Sequence, residues 1–519
     1  MKHPLSKVLL LILISSFCFS QTEKKNVIFI MVDDLKPAIK SFGDMSAVTP
    51  NIDKLSKKSA IFTNNHVQIA TCSPSRISYL TGKRPDYTKS YQLQTSMRKM
   101  RPNIVTIPQY YRNNGYTTVG IGKVFDGRSV TQHDKPSWDK FYSPFFTKSF
   151  NENYDRPKYG YQNEEKKRIM DSLVKKSFPD GPPPGTYMYR WFKNRYKPPY
   201  SSSPKPDDTY PDGAIASFAV KALDTIGKNG KPFFFAVGFS KPHIPFVAPE
   251  KYWNYYNKED ITLASFQERA ENSSRKIYHS SGELRGHVTP EIKYGLKNGL
   301  AEVNEDIQKN LVHGYYACVS FIDAQIGKIV DKLESTGLIN NTIIVIWGDH
   351  GYHLGDHSLW NKHTVLEQAT RTALLIYDPS TNKPQVIDSP TESIDVFPTL
   401  CDLTNLNKLD YLDGKSLKSS MDNGVSSKKY AVSQFEMFGS KNKMAYGFRS
   451  NKFRYIMFID KQNIGKNISK NDIEIEALFD YKNDPNETKN FIGYDNYLVI
   501  ENQIRNDAIN FLNNYFKKI

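Results

Sequence analysis

The sequence predicts an α/β protein: a mostly parallel sheet with helices on both faces, followed by a smaller C-terminal α+β unit with an antiparallel sheet. Three features point that way. Short runs of β-branched and aromatic residues alternate with helical patterns along most of the chain, as βαβ units require. The runs are continuously apolar, which suits strands covered on both faces. After about Tyr430 the rhythm changes to closely spaced strands, as in a meander. At 519 residues, with 39% apolar and 24% charged side chains, the chain can bury a large core and is not collagen-like, coiled-coil or wholly disordered.

In chain order, Lys2 and Lys7 precede an apolar run from Val8 to Ile14, and Cys18-Phe19-Ser20 supplies small residues at −3 and −1. Residues 1–20 therefore read as a secretory signal cleaved after Ser20, and the protein as exported, periplasmic or secreted. The run falls short of the ~20 residues of a membrane span, so no transmembrane segment is expected. Bulky Phe17 argues against lipid attachment at Cys18. The predicted strands are Val27 to Val32, Tyr116 to Gly120, Phe233 to Phe239, Thr342 to Trp347 and Ala373 to Tyr377. Between them, Thr49-Pro50 opens a helix with Ile52 and Leu55 on one face, and Ile107 to Asn114 forms another, closed by Gly115. The longest helix runs from about Val303 to Thr336, where Tyr316, Val319, Ile322, Ile326, Ile329 and Leu333 step by three or four residues. In the second unit, strands are predicted at Ala445 to Arg449, Phe453 to Phe458 and Ala477 to Asp480, with a terminal helix from Tyr497.

One segment breaks the pattern. From Pro182 to Pro206 there are seven prolines and five basic residues (Arg190, Lys193, Arg195, Lys197, Lys205), no acid, and the aromatics Tyr187, Tyr189, Trp191, Tyr196 and Tyr200. It reads as an irregular loop, either a solvated insertion or a surface that stacks on sugars and pairs with their anionic groups. The net charge of +16, or +14 once Lys2 and Lys7 leave with the signal, points to a polyanionic partner: nucleic acid, phospholipid or sulfated sugar. Only Cys72, Cys318 and Cys401 remain after the signal, too few for a disulfide framework. Cys318 and Cys401 sit in helical apolar patterns and read as packing residues.

Ligands of open parallel sheets bind beyond the carboxyl ends of the strands. Asp33 and Asp34 follow the first predicted strand, Lys123 the second, Lys241 and His243 the third, Asp349 and His350 the fourth. Any one of these Asp residues alone reads as a turn or a cap. Three carboxylates with no obvious basic neighbour call for a cation, and oxygen ligands suit Ca²⁺ or Mg²⁺. In Thr71-Cys72-Ser73-Pro74-Ser75-Arg76 the proline suits a first helical turn, so Cys72 is expected at a helix N-terminus, where a thiolate is favoured and nucleophilic. A Cys-x5-Arg phosphatase would need arginine at position 78, which is Ser78.

Cys72-x-Pro74-Ser75-Arg76 followed by Leu80-Thr81-Gly82 resembles the signature of the type I, formylglycine-dependent sulfatases. The resemblance extends over Val32-Asp33-Asp34-Leu35, Thr49 to Asp53, Gly122-Lys123-Val124-Phe125, Lys241 to Phe246, Gly348-Asp349-His350-Gly351, and Leu478-Phe479-Asp480 with Asp484-Pro485. The Lys-Pro-His-Ile-Pro-Phe segment is most similar to the iduronate-2-sulfatase-like branch and related bacterial polysaccharide sulfatases. The resemblance implies an alkaline-phosphatase-like three-layer sandwich as the catalytic domain over residues 21–429, and a C-terminal α+β subdomain over 430–519. It also implies a maturation enzyme that oxidises Cys72 to Cα-formylglycine, and one Ca²⁺ held by Asp33, Asp34, Asp349, His350 and an oxygen of residue 72. Arg76 and Lys123 would steady formylglycine and the sulfate, while Lys241, His243 and Lys362 would line the sulfate and its leaving oxygen, with His243 as general acid. Where the family follows Gly-Lys-x-x with histidine, this chain has Asp126, either a replacement base or a loop residue beside Gly127, and His133 lies seven residues on. His353 and His357 read as pocket-edge or loop residues rather than zinc ligands.

The implied activity is sulfuric ester hydrolysis on a sulfated polysaccharide or its oligosaccharides, with an algal polymer such as ulvan favoured and glycosaminoglycans and a uronate 2-sulfate open; nucleic acid is not an expected partner. Two rivals stay open. One is a phosphate or phosphonate monoester hydrolase of the same superfamily; the other is a non-catalytic protein that binds sulfated polysaccharide.

Overall fold

The computed structural model describes residues 24–128, 134–142, 158–228, 230–381, 383–437, 439–440 and 442–519. The signal segment over residues 1–20 and His133 lie outside the described residues. Among the described residues no helix is long and apolar enough to cross a membrane.

The central sheet has eight strands: β1 Asn26–Val32, β2 Ala60–Phe62, β3 Thr117–Gly122, β4 Lys140–Tyr142, β5 Phe233–Phe239, β6 Thr342–Gly348, β7 Leu374–Tyr377 and β8 Gln385–Ile387. Their order is β8-β2-β7-β6-β1-β5-β3-β4. Only β7 runs against the rest, pairing antiparallel with β6 on one side and β2 on the other. The five strands predicted from apolar runs are all present. The short β2, β4 and β8 add three that carry little hydrophobic signal of their own.

Alternation along the strands builds two cores. Ile28, Ile30 and Val32 of β1, with Phe235 and Val237 of β5 and Ile344 and Ile346 of β6, face one side. There they meet α1 (Pro50–Ser56), α5 (Pro211–Ile226) and the long α6 (Glu305–Ser335), through residues such as Ile52, Leu223, Ile322 and Ile326. Val27, Phe29 and Met31, with Phe234, Val345 and Trp347, face the other side against α2 (Cys72–Thr81), α3 (Ile107–Asn113) and α7 (Val396–Leu403). Helices on both faces make a three-layer α/β/α sandwich. Cys318 and Cys401 are buried and unpaired in these two cores.

The C-terminal sheet is an antiparallel meander, β9 Ala431–Glu436, β10 Lys443–Arg449, β11 Phe453–Asp460 and β12 Ile473–Asp480, in sequence order. One face packs on α8 (Leu498–Phe516) through Tyr455, Met457, Ile504, Ala508 and Leu512. The other packs Ile456, Phe458 and Phe479 on Leu359, Val365 and Leu366 of the main unit. Buried Arg454 ties the two together: it donates to the Val365 carbonyl at 2.6 Å and pairs with Glu367 at 2.5 Å and Glu487 at 3.2 Å. This sheet therefore braces the segment on either side of Lys362.

The Pro182–Pro206 segment differs from the irregular loop expected. It forms a short helix, α4 Met188–Trp191, and a strand Tyr200–Ser203 that runs parallel to Phe246–Pro249. Phe192 and Tyr196 turn into the core, and that burial holds the segment down despite its prolines.

Candidate active site

Strand register assembles the site. Parallel pairing sets Val32 opposite both Gly348 and Phe239, so the residues that follow, Asp33, Asp349 and Ser240, emerge side by side. Gly122 sits opposite Gly238. A Cβ on Gly238 would lie 2.1 Å from the Lys123 carbonyl carbon, so only glycine there lets the chain carry Lys123 across the strand end. Asp34 has a left-handed φ of 61°, and its N–H donates to Asp349 Oδ1 at 2.9 Å.

Cys72 begins α2, with Thr71 at the N-cap position but making no side-chain capping bond, and every residue of that helix is buried. Ser75 Oγ donates to the Asp349 carbonyl at 2.5 Å. Arg76, with no exposed surface, donates Nε to Asp349 Oδ2 at 2.8 Å, reaches Asp33 Oδ1 at 3.3 Å, and also donates to the carbonyls of Lys123 and Val124. Lys123 Nζ meets Asp33 Oδ2 at 2.5 Å. Lys362 Nζ lies 3.0 Å from both oxygens of Asp34. The absence of basic neighbours expected from the sequence is thus corrected: Arg76, Lys123 and Lys362 reach the carboxylates from distant parts of the chain. Asn361 and His363, on either side of Lys362, hold φ of 80° and 77°. Backbone in that region is seldom retained for a histidine unless surrounding contacts impose it.

His350 Nδ1 donates to the Gly351 carbonyl at 3.0 Å, which in the neutral ring leaves the lone pair on Nε2. That nitrogen lies 3.4 Å from Cys72 Sγ, 3.4 Å from Asp34 Oδ1 and 3.6 Å from Asp349 Oδ1. Ligand atoms of Asp33, Cys72, Asp349 and His350 all fall within 4.8 Å of one another, as do those of Asp33, Asp34, Cys72 and His243. The converging buried carboxylate oxygens fit a hard divalent cation, whereas the imidazole nitrogen of His350 is an unusual ligand for one and is equally placed to meet a bound sulfate.

The electrostatics are those of a dense buried cluster. Burial, together with the charges of Asp33 and Asp349, pushes the Cys72 thiol well above its ordinary range, against the pull of Lys123 and Lys362. This works against the thiolate that a helix N-terminus favours, and a thiol held protonated is a poor nucleophile. Burial alone would raise Asp33, but Lys123, His243 and Arg76 hold it well below the usual carboxylate range. Asp349 is pushed up, by burial first and by Asp33 beside it.

His243 stands at the solvent side. Its Nδ1 is 2.6 Å from the Ile244 carbonyl, and its Nε2 is 3.2 Å from Glu283 Oε1. Both neighbours only accept, so a ring that carries both protons satisfies both. Glu283 Oε2 lies 3.2 Å from Lys362 Nζ, joining the two. Glu283 went unnoticed in the sequence; it lies in His279-Ser280-Ser281-Gly282-Glu283, where no spacing distinguishes it from a loop acid. Asp212 was also missed. It accepts the N–H groups of Ser240 and Lys241 at 2.7 and 3.0 Å and so fixes the turn after β5.

Two expected site residues are turned elsewhere. Lys241 Nζ donates to the carbonyls of His243 and Pro245 at 2.7 and 2.6 Å, bracing the His243 turn rather than facing the carboxylates. Asp126 is clasped by Arg128, with Nε at 2.8 Å and Nη2 at 2.5 Å, and lies 3.9 Å from Lys123; the Arg128 bond holds it down to about 2 despite burial. His353 bonds Asp356 and Thr364, and His357 bonds the Glu268 carbonyl, both away from the cluster.

Residues 25–406 match the family model described as Sulfatase. The chain belongs to the sulfatase family. Residues 355–513 match a second model, N-sulphoglucosamine sulphohydrolase, C-terminal, so the sulfatase match continues into the antiparallel sheet. The chain is 32% identical to mouse iduronate 2-sulfatase over 388 residues, 72% of this chain and 64% of that protein, a little under two thirds of its length. It is 30% identical to a sulfatase of Formosa agariphila over 479 residues, 90% of this chain and 83% of that one. Among solved structures, a protein in complex with its substrate D-glucosamine-2-N,6-O-disulfate superposes with a TM-score of 0.68 at 19% identity, covering 96% of this chain and 98% of that chain. The sulfatase fold is thus common to both units.

Proposed function

We propose that the chain removes sulfate from a sulfated polysaccharide or its oligosaccharides, using formylglycine made from Cys72 with Ca²⁺ beside it. The observation that carries this reading is the convergence of Cys72, three carboxylates and three cationic side chains at one edge of the sheet. Hydrated formylglycine would supply one hydroxyl for attack on sulfur and a second for expelling sulfate, which a serine hydroxyl lacks. Asp33, Asp34, Asp349 and His350 would hold the cation, which makes a neighbouring hydroxyl more acidic.

The remaining roles belong to the side chains themselves. Arg76 fixes Asp33 and Asp349 in place and keeps position 72 against them. Asp33, Asp34, Asp349, His350 and Arg76 are at most 1% exposed, while the side chains of Lys123, His243 and Glu283 keep 18%, 20% and 27% of their surface, so a sulfate group would enter between those three. Lys123 and Lys362 would meet charge growing on the sulfuryl oxygens, and Nε2 of His243 would give its proton to the departing sugar oxygen. Lys241 would act through the His243 turn. Asp126, neutralised by Arg128, would support Lys123, and its service as a base would require Arg128 to release it.

The basic charge of the chain favours a polyanionic polymer such as ulvan, with uronate 2-sulfates next, and the N-terminal segment favours export to the periplasm, after maturation by a formylglycine-generating enzyme. The test joins two measurements. Mass spectrometry of the tryptic peptide Ser59–Arg76 should report an aldehyde at position 72. The same sample should release sulfate from sulfated oligosaccharides faster than phosphate from matched phosphate esters. A thiol at position 72 in active enzyme, or a preference for phosphate, would overturn the reading.

A further inference from the structure

Lys197 is 5% exposed, yet its ammonium has no hydrogen-bond or ion partner among the described residues. The ammonium lies over the face of Tyr189, with Nζ 3.5 Å from the ring centroid. Other buried lysines are paired: Lys83 with Asp413 at 2.6 Å and Lys362 with Asp34 at 3.0 Å. A lysine this deeply buried, with a ring and no direct ion pair at its ammonium, has little to offset its desolvation.

The surroundings tie this segment to the rim of the catalytic cluster. The Lys197 N–H donates to the Val288 carbonyl at 2.7 Å and the Asn194 N–H to Gly286 at 3.2 Å, so the segment is laced to the loop that presents Glu283. His287 lies on that loop. Its Nδ1 donates to the Glu283 carbonyl at 3.0 Å, and its Nε2 has no partner among the described residues, leaving a buried lone pair for a donor such as a sugar hydroxyl. Lys197 is within electrostatic reach of Glu283, Lys193 and Lys241, His287 of Lys197 and His243, and Tyr189 of Glu283, Lys362 and Lys123. Burial pushes Lys197 down to about 7, a state that an arriving anion would reverse.

We propose that Lys197, covered by Tyr189 and flanked by His287, forms a subsite for a second anionic group, a carboxylate or a second sulfate, on the sugar whose sulfate is removed. This rests on the sulfate-ester reading above and gives the Pro182–Pro206 segment a role, since it brings a cation to the rim of a site whose own cations are held by Asp33, Asp34 and Asp349.

The test uses full-length protein with formylglycine confirmed. Methyl glucosides carrying one sulfate at position 2, 3 or 4 are compared with methyl glucuronides bearing the same sulfate and with disulfated glucosides. A charge-assisted hydrogen bond is worth about 10–100-fold, so kcat/KM for at least one doubly anionic compound should exceed that of its singly anionic partner by that factor. Whether the glucuronide or the disulfate is preferred identifies the second group. Lys197→Met should lower the ratio at least tenfold, and Lys197→Arg should retain most of it. Should Lys197→Met fail to fold, wild-type preference and the loss of ratio in Tyr189→Ala, at a half-buried position, decide the matter. Equal rates on singly and doubly anionic compounds, or an unchanged ratio in Lys197→Met, would overturn the subsite alone. No sulfate release from any compound would overturn the sulfate-ester reading and the subsite with it.

Discussion

Replacing Glu283 by Gln keeps the side chain's size and removes the charge that lies 3.2 Å from both His243 Nε2 and Lys362 Nζ. Two unit charges at that distance interact by about 5 kcal/mol at an effective dielectric of ~20, before desolvation is counted. His243 and Glu283 keep 20% and 27% of their side-chain surface in contact with solvent, which weakens the pair. Hydrogen bonds to charged groups contribute about 1.5–3 kcal/mol net, equivalent to roughly 10–150-fold in rate. If Glu283 orients the His243 ring that donates to the leaving oxygen, the loss depends on how much the leaving group needs a proton. Glu283→Gln should therefore lose about 10–150-fold in kcat on an alkyl or sugar sulfate and less than about threefold on 4-nitrophenyl sulfate, whose phenolate leaves unaided. The assay is kcat across a series of sulfate esters of graded leaving-group acidity. Equal losses along the series would remove this role from Glu283, because a general loosening of the site would ignore the leaving group.

His243→Ala should cut kcat by about 10²–10³ while changing KM much less, and comparable turnover to wild type would remove it as proton donor. Chelation should abolish activity and added Ca²⁺ restore it, whereas Asp349→Asn should stay inactive at any Ca²⁺ concentration; metal content by mass spectrometry checks both. Burial raises Asp212 to about 6 from the ~3.9 of an unfolded chain, so the native state holds the extra proton between those values. That contribution is present at low pH and lost as pH rises through about 6, at most roughly 3 kcal/mol. Thermal melts should accordingly show a steeper decline from pH 5 to 7 in wild type than in Asp212→Asn. Arg454→Met would strip buried Glu487 of its arginine and leave Glu367 to Arg449 alone, at a cost of about 3 kcal/mol; calorimetry should show the loss, with lower activity through the Lys362 segment.

Local pattern along the chain was enough to reveal the elements and half of the site. Continuous apolar runs mark strands covered on both faces, and their carboxyl ends mark where polar groups gather, so Asp33, Asp34, Lys123, His243, Asp349 and His350 were all legible from that pattern and one topological rule. Cys72 was legible because Pro74 signals a helix start, whereas Arg76 and Lys362 were legible only through the resemblance to the sulfatase signature. Which charges meet was settled only by folding. Arg76 reaches Asp349 across 273 residues and Lys362 reaches Asp34 across 328, so a cluster that looks purely acidic along the chain is neutralised in space. Glu283 and Lys197 lie on segments with no periodicity, and only packing brings one to His243 and leaves the other without an anion. Periodicity encodes which face a residue occupies. It carries no information about what lies opposite that face, because the partner is set by the register and curvature of elements hundreds of residues away.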